Sequence, residues 1–411
     1  MTKFLHAADL HLDSPFSGLK GLPDYVWQSI RQSTFHALRS LTDAAIQSKV
    51  DFVLLAGDIY DLEDRSIKAQ AVFREEMERL DEAEIPVYII HGNHDFLAEE
   101  EMQLEMPGNV TVFNSNVETA YLTTKRGERI AVSGFSYDQR WITERKILQY
   151  PHRDPSVDWH IGMLHGYAEG NHSEHAHYAP FSIQELQSKE YDYWALGHIH
   201  KRQQVSERPL AYYPGCLQGR NKKETEPKGF LMVNLTKTEQ TVHFEPVAPI
   251  EWVNEEITIE IGWTIEDVYS AIKEIVDRQK ENNTSSFLTL TLVDDGGVPE
   301  NVRRKIQNGE LAEAFQAARE HAAFVWVNEV KLKQQTANKM PALKALFPEE
   351  WAKALKEVQQ DGVFRDVTSD FFQQARQASL LEVRNEFYRE NIVEQALEHL
   401  YAVMGVDEDE D

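Results

Sequence analysis

Five apolar runs within residues 1–200 each stop abruptly at Asp, Asn or His, and this repeated ending constrains the chain more than any other feature. Phe4–Ala8 runs into Asp9-Leu10-His11, and Phe52–Ala56 into Gly57-Asp58. Val87–Ile90 leads to Gly92-Asn93-His94-Asp95, His160–Leu164 to His165-Gly166, and Tyr193–Leu196 to Gly197-His198-Ile199-His200. Short, continuous apolar runs of this kind read as buried strands. Helical patterns lie between the first of them, from about Asp24 to Ser48 and from Ile67 to Glu84. Strands alternating with helices imply an α/β unit with a parallel core. In open α/β sheets ligands bind beyond the carboxyl ends of the strands. Five strand ends would therefore deliver their polar side chains to one place.

The chemistry of that set is narrow. Asp9, His11, Asp58, Asn93, His165, His198 and His200 offer oxygen and imidazole nitrogen, with no thiolate. That disfavours structural zinc and suits Mn, Fe, Zn or Ni in a mixed N/O shell. Asp9 and His11 are two apart, as are His198 and His200, so on extended backbone each pair would face one side. Seven ligands are too many for one ion and suit two, the arrangement that clamps both oxygens of a phosphoryl displacement. A lone Asp-x-His or Gly-Asp carries little weight. Gly-Asn-His-Asp and Gly-His-x-His, each after an apolar strand and in this order with the others, are not what a solvated surface looks like.

The order Asp-x-His, Gly-Asp, Gly-Asn-His-Asp, His-Gly and Gly-His-x-His resembles the signature of calcineurin-like metallophosphoesterases. The following α/β and helical segments resemble the SbcD-type DNA-repair exonucleases. Asp9–Phe16 and Tyr178-Ala179-Pro180-Phe181 are most similar to the YhaO-type branch. The resemblance implies a double-sheet sandwich flanked by helices, and a two-metal DNA phosphodiesterase with manganese as the expected metal. It places Asp9, His11 and His200 on one ion, Asn93, His165 and His198 on the other, and Asp58 between them with a water or hydroxide. The ions would lower that water's pKa for in-line attack on phosphorus. His94 would donate a proton to the leaving oxygen or bind the phosphoryl oxygens, with Asp95 holding its ring. Asp13 and Asp61 depart from residues common in the family, Gly and His respectively, which puts exonuclease polarity in question. For Asp61 a turn or helix-cap role competes with a catalytic one.

The chain has 411 residues, about three domains at ~150 each. A dinuclear domain over 1–250, a small α/β capping domain over 251–335, and a linker with C-terminal helices and an acidic tail over 336–411 are expected. Beyond Val110 the shorter strands, including Phe230–Leu235 and Thr241–Phe244, look like a second, mixed sheet. The single cysteine, Cys216, excludes a disulfide framework. No signal peptide or membrane span is visible, so a cytoplasmic enzyme is expected.

The net charge of −26 argues, taken alone, against a nucleic-acid binder. It is uneven, however: residues 1–250 hold 25 Lys/Arg against 36 Asp/Glu, and the shorter remainder 17 against 32. Residues 201–230 carry seven cations against three acids, which makes Lys201, Arg202 and Arg220 candidate substrate contacts. A solvated hairpin is the competing explanation for that stretch. His172, His175 and His177 read as a polar loop near the site rather than a separate metal site. Through the resemblance, the C-terminal helices would attach to an SbcC-like coiled-coil ATPase, and a homodimer is a further expectation. A phosphodiesterase for small nucleotides, or a metal-binding scaffold without nuclease activity, would carry the same motifs.

Overall fold

The computed structural model describes residues 1–334 apart from 17–18, 20, 62–64, 98–103, 170–177, 261, 283, 295–297, 299 and 317–322, and short stretches within 353–364. The expected linker, most of the C-terminal helical region and the His172/His175/His177 loop lie outside the described residues.

The chain begins with β1 (Thr2–Ala7), α1 (Asp24–Ser48), β2 (Phe52–Ala56), α2 (Ile67–Glu82), β3 (Val87–Ile90) and β4 (Val110–Val112). It continues through β5 (Glu118–Thr123), β6 (Arg129–Gly134), β7 (Trp159–His165), α3 (Ile183–Ser188), β8 (Tyr193–Gly197), β9 (Gln203–Glu207) and β10 (Leu210–Tyr213). The hairpin β11 (Gly229–Leu235) and β12 (Gln240–Pro246) follows. Two six-stranded sheets result, ordered β12-β11-β1-β2-β3-β4 and β5-β6-β7-β8-β10-β9.

This corrects the expected grouping of strands. Val110–Val112 and the β11–β12 hairpin belong to the first sheet, not the second. β4 runs parallel beside β3, whereas β11 returns antiparallel to β1, so Phe4 faces Val233 across the ladder. The first sheet is therefore mixed, with a parallel centre. Strand β9 was not foreseen, because Gln203-Gln204-Val205-Ser206-Glu207 lacks the apolar content that marks a buried strand.

Alternation along β1 and β2 shows why the sheets stack. Phe4, Phe52 and Leu54 point into the sandwich, where they meet Ile130, Val132, Ile161, Met163 and Tyr193 of the second sheet. Leu5, Val53 and Leu55 point the other way, onto Leu38 and Leu41 of α1 and Phe73, Met77 and Leu80 of α2. Both faces of these strands are dry, which is why they read as continuous apolar runs. Each such side chain contributes about 1.5–3 kcal/mol on burial. α2 starts at Ser66, whose hydroxyl accepts from Ala69 N at 3.0 Å and donates to Asp13 Oδ2 at 2.7 Å.

The third sheet has three strands, β13 (Ile250–Ile259), β14 (Ser285–Asp294) and β15 (Val325–Gln334), with α4 (Ile265–Glu281), α5 (Glu300–Gln307) and α6 (Glu310–Glu313) between them. α5 and α6 are separated at Gly309, whose φ of 85° lies outside the helical region. Trp252 of β13 donates its indole N–H to Gly219 O at 2.9 Å and stacks on Phe287 at 4.9 Å. The described residues divide into two compact units, one of Met1–Glu255, Ile275–Thr289 and Ala314–Asn328, the other of Glu256–Glu274, Leu290–Glu313 and the described residues from Glu329 onward. Among the described residues, no helix is long and apolar enough to cross a membrane.

Candidate metal centre

Every one of the seven candidate ligands sits just past the carboxyl end of a strand or on its last residue, and their donor atoms converge. His11 Nε2 and His200 Nε2 are 3.1 Å apart, and His200 Nε2 lies 3.8 Å from Asp9 Oδ1. Asn93 Oδ1 is 3.1 Å from both His165 Nε2 and His198 Nδ1. Asp58 Oδ2 lies between the two groups, 3.7 Å from His11 Nε2 and 3.5 Å from His165 Nε2. Two foci sharing one carboxylate are what a pair of ions with a bridging ligand requires.

The backbone that achieves this is not extended, contrary to the same-face expectation. Asp9, His11, Asp58 and His198 all have positive φ, at 52°, 44°, 50° and 102°. Non-glycine residues in that region cost on the order of 1–3 kcal/mol each and cluster at functional sites. Here the turns are held by long-range pairing: Asp9 N donates to Gly57 O, His11 N to Asp58 O, and His198 N to Asp9 Oδ1, all at 3.0–3.1 Å. Gly57 has φ 95°, and a Cβ there would lie 2.3 Å from His165 Nδ1. A Cβ on Gly92 would meet Asp58 Oδ1 at 2.2 Å. The glycines beside the ligands are therefore steric requirements of the ligand cluster.

Electrostatics give the fit test for a metal. Burial, then the charge of Asp58, pushes the Asp9 carboxyl well above the ordinary carboxylate range. Burial, with Arg220 and His200 nearby, pushes His11 well down. Two acids and several imidazoles held together in a dry site are costly alone. A cation among them favours the carboxylate form and uses the neutral imidazole. The donor set, oxygen and imidazole with no thiolate, fits divalent ions of the Mn, Fe, Zn or Ni type.

His94 stands beside the ligands, its ring 5.0 Å from that of His11. Its Nδ1–H donates to the Asp61 carbonyl at 3.0 Å, which leaves Nε2 for exchange with a substrate. The expectation that Asp95 holds this ring is wrong. Asp95 is fully buried, and its oxygens are taken by Gly92 N at 2.7 Å, Ile59 N at 2.7 Å and His91 Nδ1 at 3.1 Å. Burial alone would raise this carboxyl, but His91, Arg65 and the Gly92 N–H bring it well below the ordinary range. Asp95 thus ties the loop carrying Asp58 to the loop carrying Asn93.

Asp61 does not cap α2, whose cap is Ser66. Its Oδ1 lies 3.0 Å from His11 Nδ1 and accepts from the Arg220 guanidinium. Of the three cations proposed as substrate contacts, Arg220 is brought into the cluster, its Nη2 3.3 Å from His200 Nδ1. Lys201 is exposed and pairs with Glu226 at 3.5 Å, and the Arg202 guanidinium lies 3.8 Å from the Phe244 ring centroid. Glu224, counted from the sequence only as an acid diluting the basic stretch, accepts from His200 Nδ1 at 2.8 Å. Burial acts to raise the Glu224 carboxyl, but His200 and Arg220 outweigh it and hold it at about 2. Nothing in its sequence context signals that contact. Cys216 is fully buried, with its thiol pushed up by burial, and lies 3.7 Å from Glu224 Oε2.

The model of the calcineurin-like phosphoesterase family matches residues 2–202. The chain is 38% identical over 341 residues to a protein described as uncharacterized metallophosphoesterase YhaO from Bacillus subtilis, covering 82% of each chain. The chain belongs to the calcineurin-like metallophosphoesterases. This metallophosphoesterase is also 32% identical over 206 residues to the DNA double-strand break repair protein Mre11 of Sulfurisphaera tokodaii, covering 49% of each. It is 22% identical over 273 residues to a component of the SbcCD nuclease of Staphylococcus saprophyticus, covering 60% of this chain and 69% of that protein. Membership makes the chain a metal-dependent phosphoester hydrolase whose fold implies two divalent ions.

Proposed function

We propose that this metallophosphoesterase is a two-metal nuclease that hydrolyses DNA phosphodiesters, with manganese as its ion. Asp9, His11 and His200 would hold one ion, Asn93, His165 and His198 the other, and Asp58 would bridge them. The observation that carries the assignment is the pair of donor foci joined by Asp58 Oδ2. When bound, such ions supply a nucleophile at neutral pH by lowering the pKa of water and stabilise charge on the phosphoryl oxygens.

The chain's own residues do the rest. With Nδ1–H committed to the Asp61 carbonyl, a protonated His94 presents Nε2–H to the leaving oxygen. Asp95 keeps the Asp58 and Asn93 loops in register. The names of the Mre11 and SbcCD relatives support a nucleic-acid substrate. The SbcCD name also supports an SbcC-like ATPase partner, for which the C-terminal region would be the attachment, and a cytoplasmic setting belongs to the same reading. Residues 1–250 would form the catalytic domain and 251–335 a cap.

The test is a substrate panel with manganese: end-labelled duplex and single-stranded DNA beside small phosphodiesters and nucleotides. Cleavage of DNA is expected, with His94→Asn lowering turnover about 10²–10⁴-fold while metal binding is kept. Activity confined to small nucleotides, or full activity in H94N, would overturn the assignment.

A further inference from the structure

Two cations of the basic stretch after Gly-His-x-His, Arg220 and Lys228, are turned inward toward His200, while Lys201, Arg202, Arg208, Lys222 and Lys223 are exposed. Lys228 Nζ donates to the His200 carbonyl at 2.8 Å, and Cys216 N approaches the same oxygen at 3.4 Å. Glu224 Oε1 accepts from His200 Nδ1 at 2.8 Å. Its other oxygen accepts from Arg220 N at 2.6 Å, so the carboxylate is fixed at both ends. Only 11% of the Glu224 side chain is exposed. With Nδ1 turned to Glu224, Nε2 is the nitrogen that faces His11, at 3.1 Å.

The other group is backed differently. His165 Nδ1 meets the neutral carbonyl of Ala56 at 3.0 Å. A carboxylate behind a ligating imidazole raises its basicity and fixes its tautomer, which a neutral carbonyl does less strongly. Asp61 adds a second carboxylate 3.0 Å from His11 Nδ1, on the same side. Among the described residues, the two carboxylates that stand behind ligand imidazoles, Glu224 and Asp61, both lie at the Asp9–His11–His200 position.

We propose that Glu224 is a positioning residue for His200, and that this makes the Asp9–His11–His200 position the tighter of the two metal positions. The proposal takes the ligand assignment above as its premise. Arg220 and Lys228 then serve the metal site rather than binding DNA.

The experiment is calorimetric titration of the metal-free full chain with manganese chloride, paired with thermal unfolding of each variant without and with manganese. Wild type should show two binding steps of different affinity. Glu224→Gln keeps the shape and removes the charge, and should weaken the tighter step about 10–100-fold while leaving the weaker step unchanged. Its metal-induced rise in unfolding temperature should shrink more than its metal-free unfolding temperature moves. Glu224→Asp keeps the charge and should recover part of the lost affinity. Wild-type affinities in E224Q, equal weakening of both steps, or no recovery in E224D would overturn the proposal. His200→Ala should abolish the tighter step, and retention of both steps in H200A would instead overturn the ligand assignment.

Discussion

Gly57→Ala is the substitution whose consequence can be worked most directly from the coordinates. The new Cβ would lie 2.3 Å from His165 Nδ1 and 2.7 Å from its Cγ, where ordinary contact begins at 3.4 Å. The imidazole would have to retreat by roughly 1 Å, and cores overpacked in this way lose about 1–3 kcal/mol. It cannot retreat freely, because its Nδ1 is hydrogen-bonded to Ala56 O at 3.0 Å. The φ of 95° adds backbone strain of about 1–3 kcal/mol for an L-residue. The expected loss is thus about 2–6 kcal/mol, a large share of the ~5–15 kcal/mol that stabilises a typical domain. Gly127 supplies the control: its φ is 86°, but a Cβ there meets nothing within 4 Å. Gly127→Ala should cost only the backbone share, about 1–3 kcal/mol. Urea unfolding of both variants in chelator measures the difference, and manganese calorimetry reads the His165 position separately. Metal affinity should fall at least tenfold in G57A and stay unchanged in G127A. Equal stability and equal metal affinity in the two variants would refute the steric reasoning.

His6 is fully buried between Tyr193 Oη at 3.0 Å and Leu196 O at 3.2 Å, and burial lowers its pKa from 6.5 to about 3. The unfolded chain therefore binds the extra proton between these values. The stability from keeping His6 neutral is full above pH 6.5 and falls by about 1.4 kcal/mol per unit toward pH 3. The stability–pH slope of His6→Gln should be flatter by that amount, as read by urea midpoints across the window. Trp252→Ala should cost about 3–5 kcal/mol, and Trp252→Phe, which keeps the stack on Phe287, distinctly less. With a net charge of −26, binding to bulk duplex should be weak and should fall steeply with added salt, measured by fluorescence anisotropy. Tight, salt-resistant, metal-free binding would contradict that charge argument.

The ligand set was legible in the sequence because it is written locally. A buried strand is a short apolar run, and the residue after it is the one delivered to the sheet's edge, so Asp9, Asp58, Asn93, His165 and His198 could be picked out from neighbours in the chain. What the motifs could not carry is anything decided by pairing across long separations. Whether β4 and the β11–β12 hairpin join the first sheet or the second depends on which strand edge each one meets. Their own composition does not say, and Val110–Val112 looks the same either way. The partners of the ligands were hidden for the same reason. Asp95 follows His94 in sequence, so adjacency suggested that it holds that ring, yet it is aimed at Gly92 N and Ile59 N. Glu224 is 24 residues from His200 and carries no local mark, yet it lies against the imidazole's outer nitrogen. Sequence by itself determined which atoms could bind a metal. Only the tertiary structure decided which groups stand behind them, because hydrogen bonds between distant loops depend on how the sheets close, not on the order of residues along a strand.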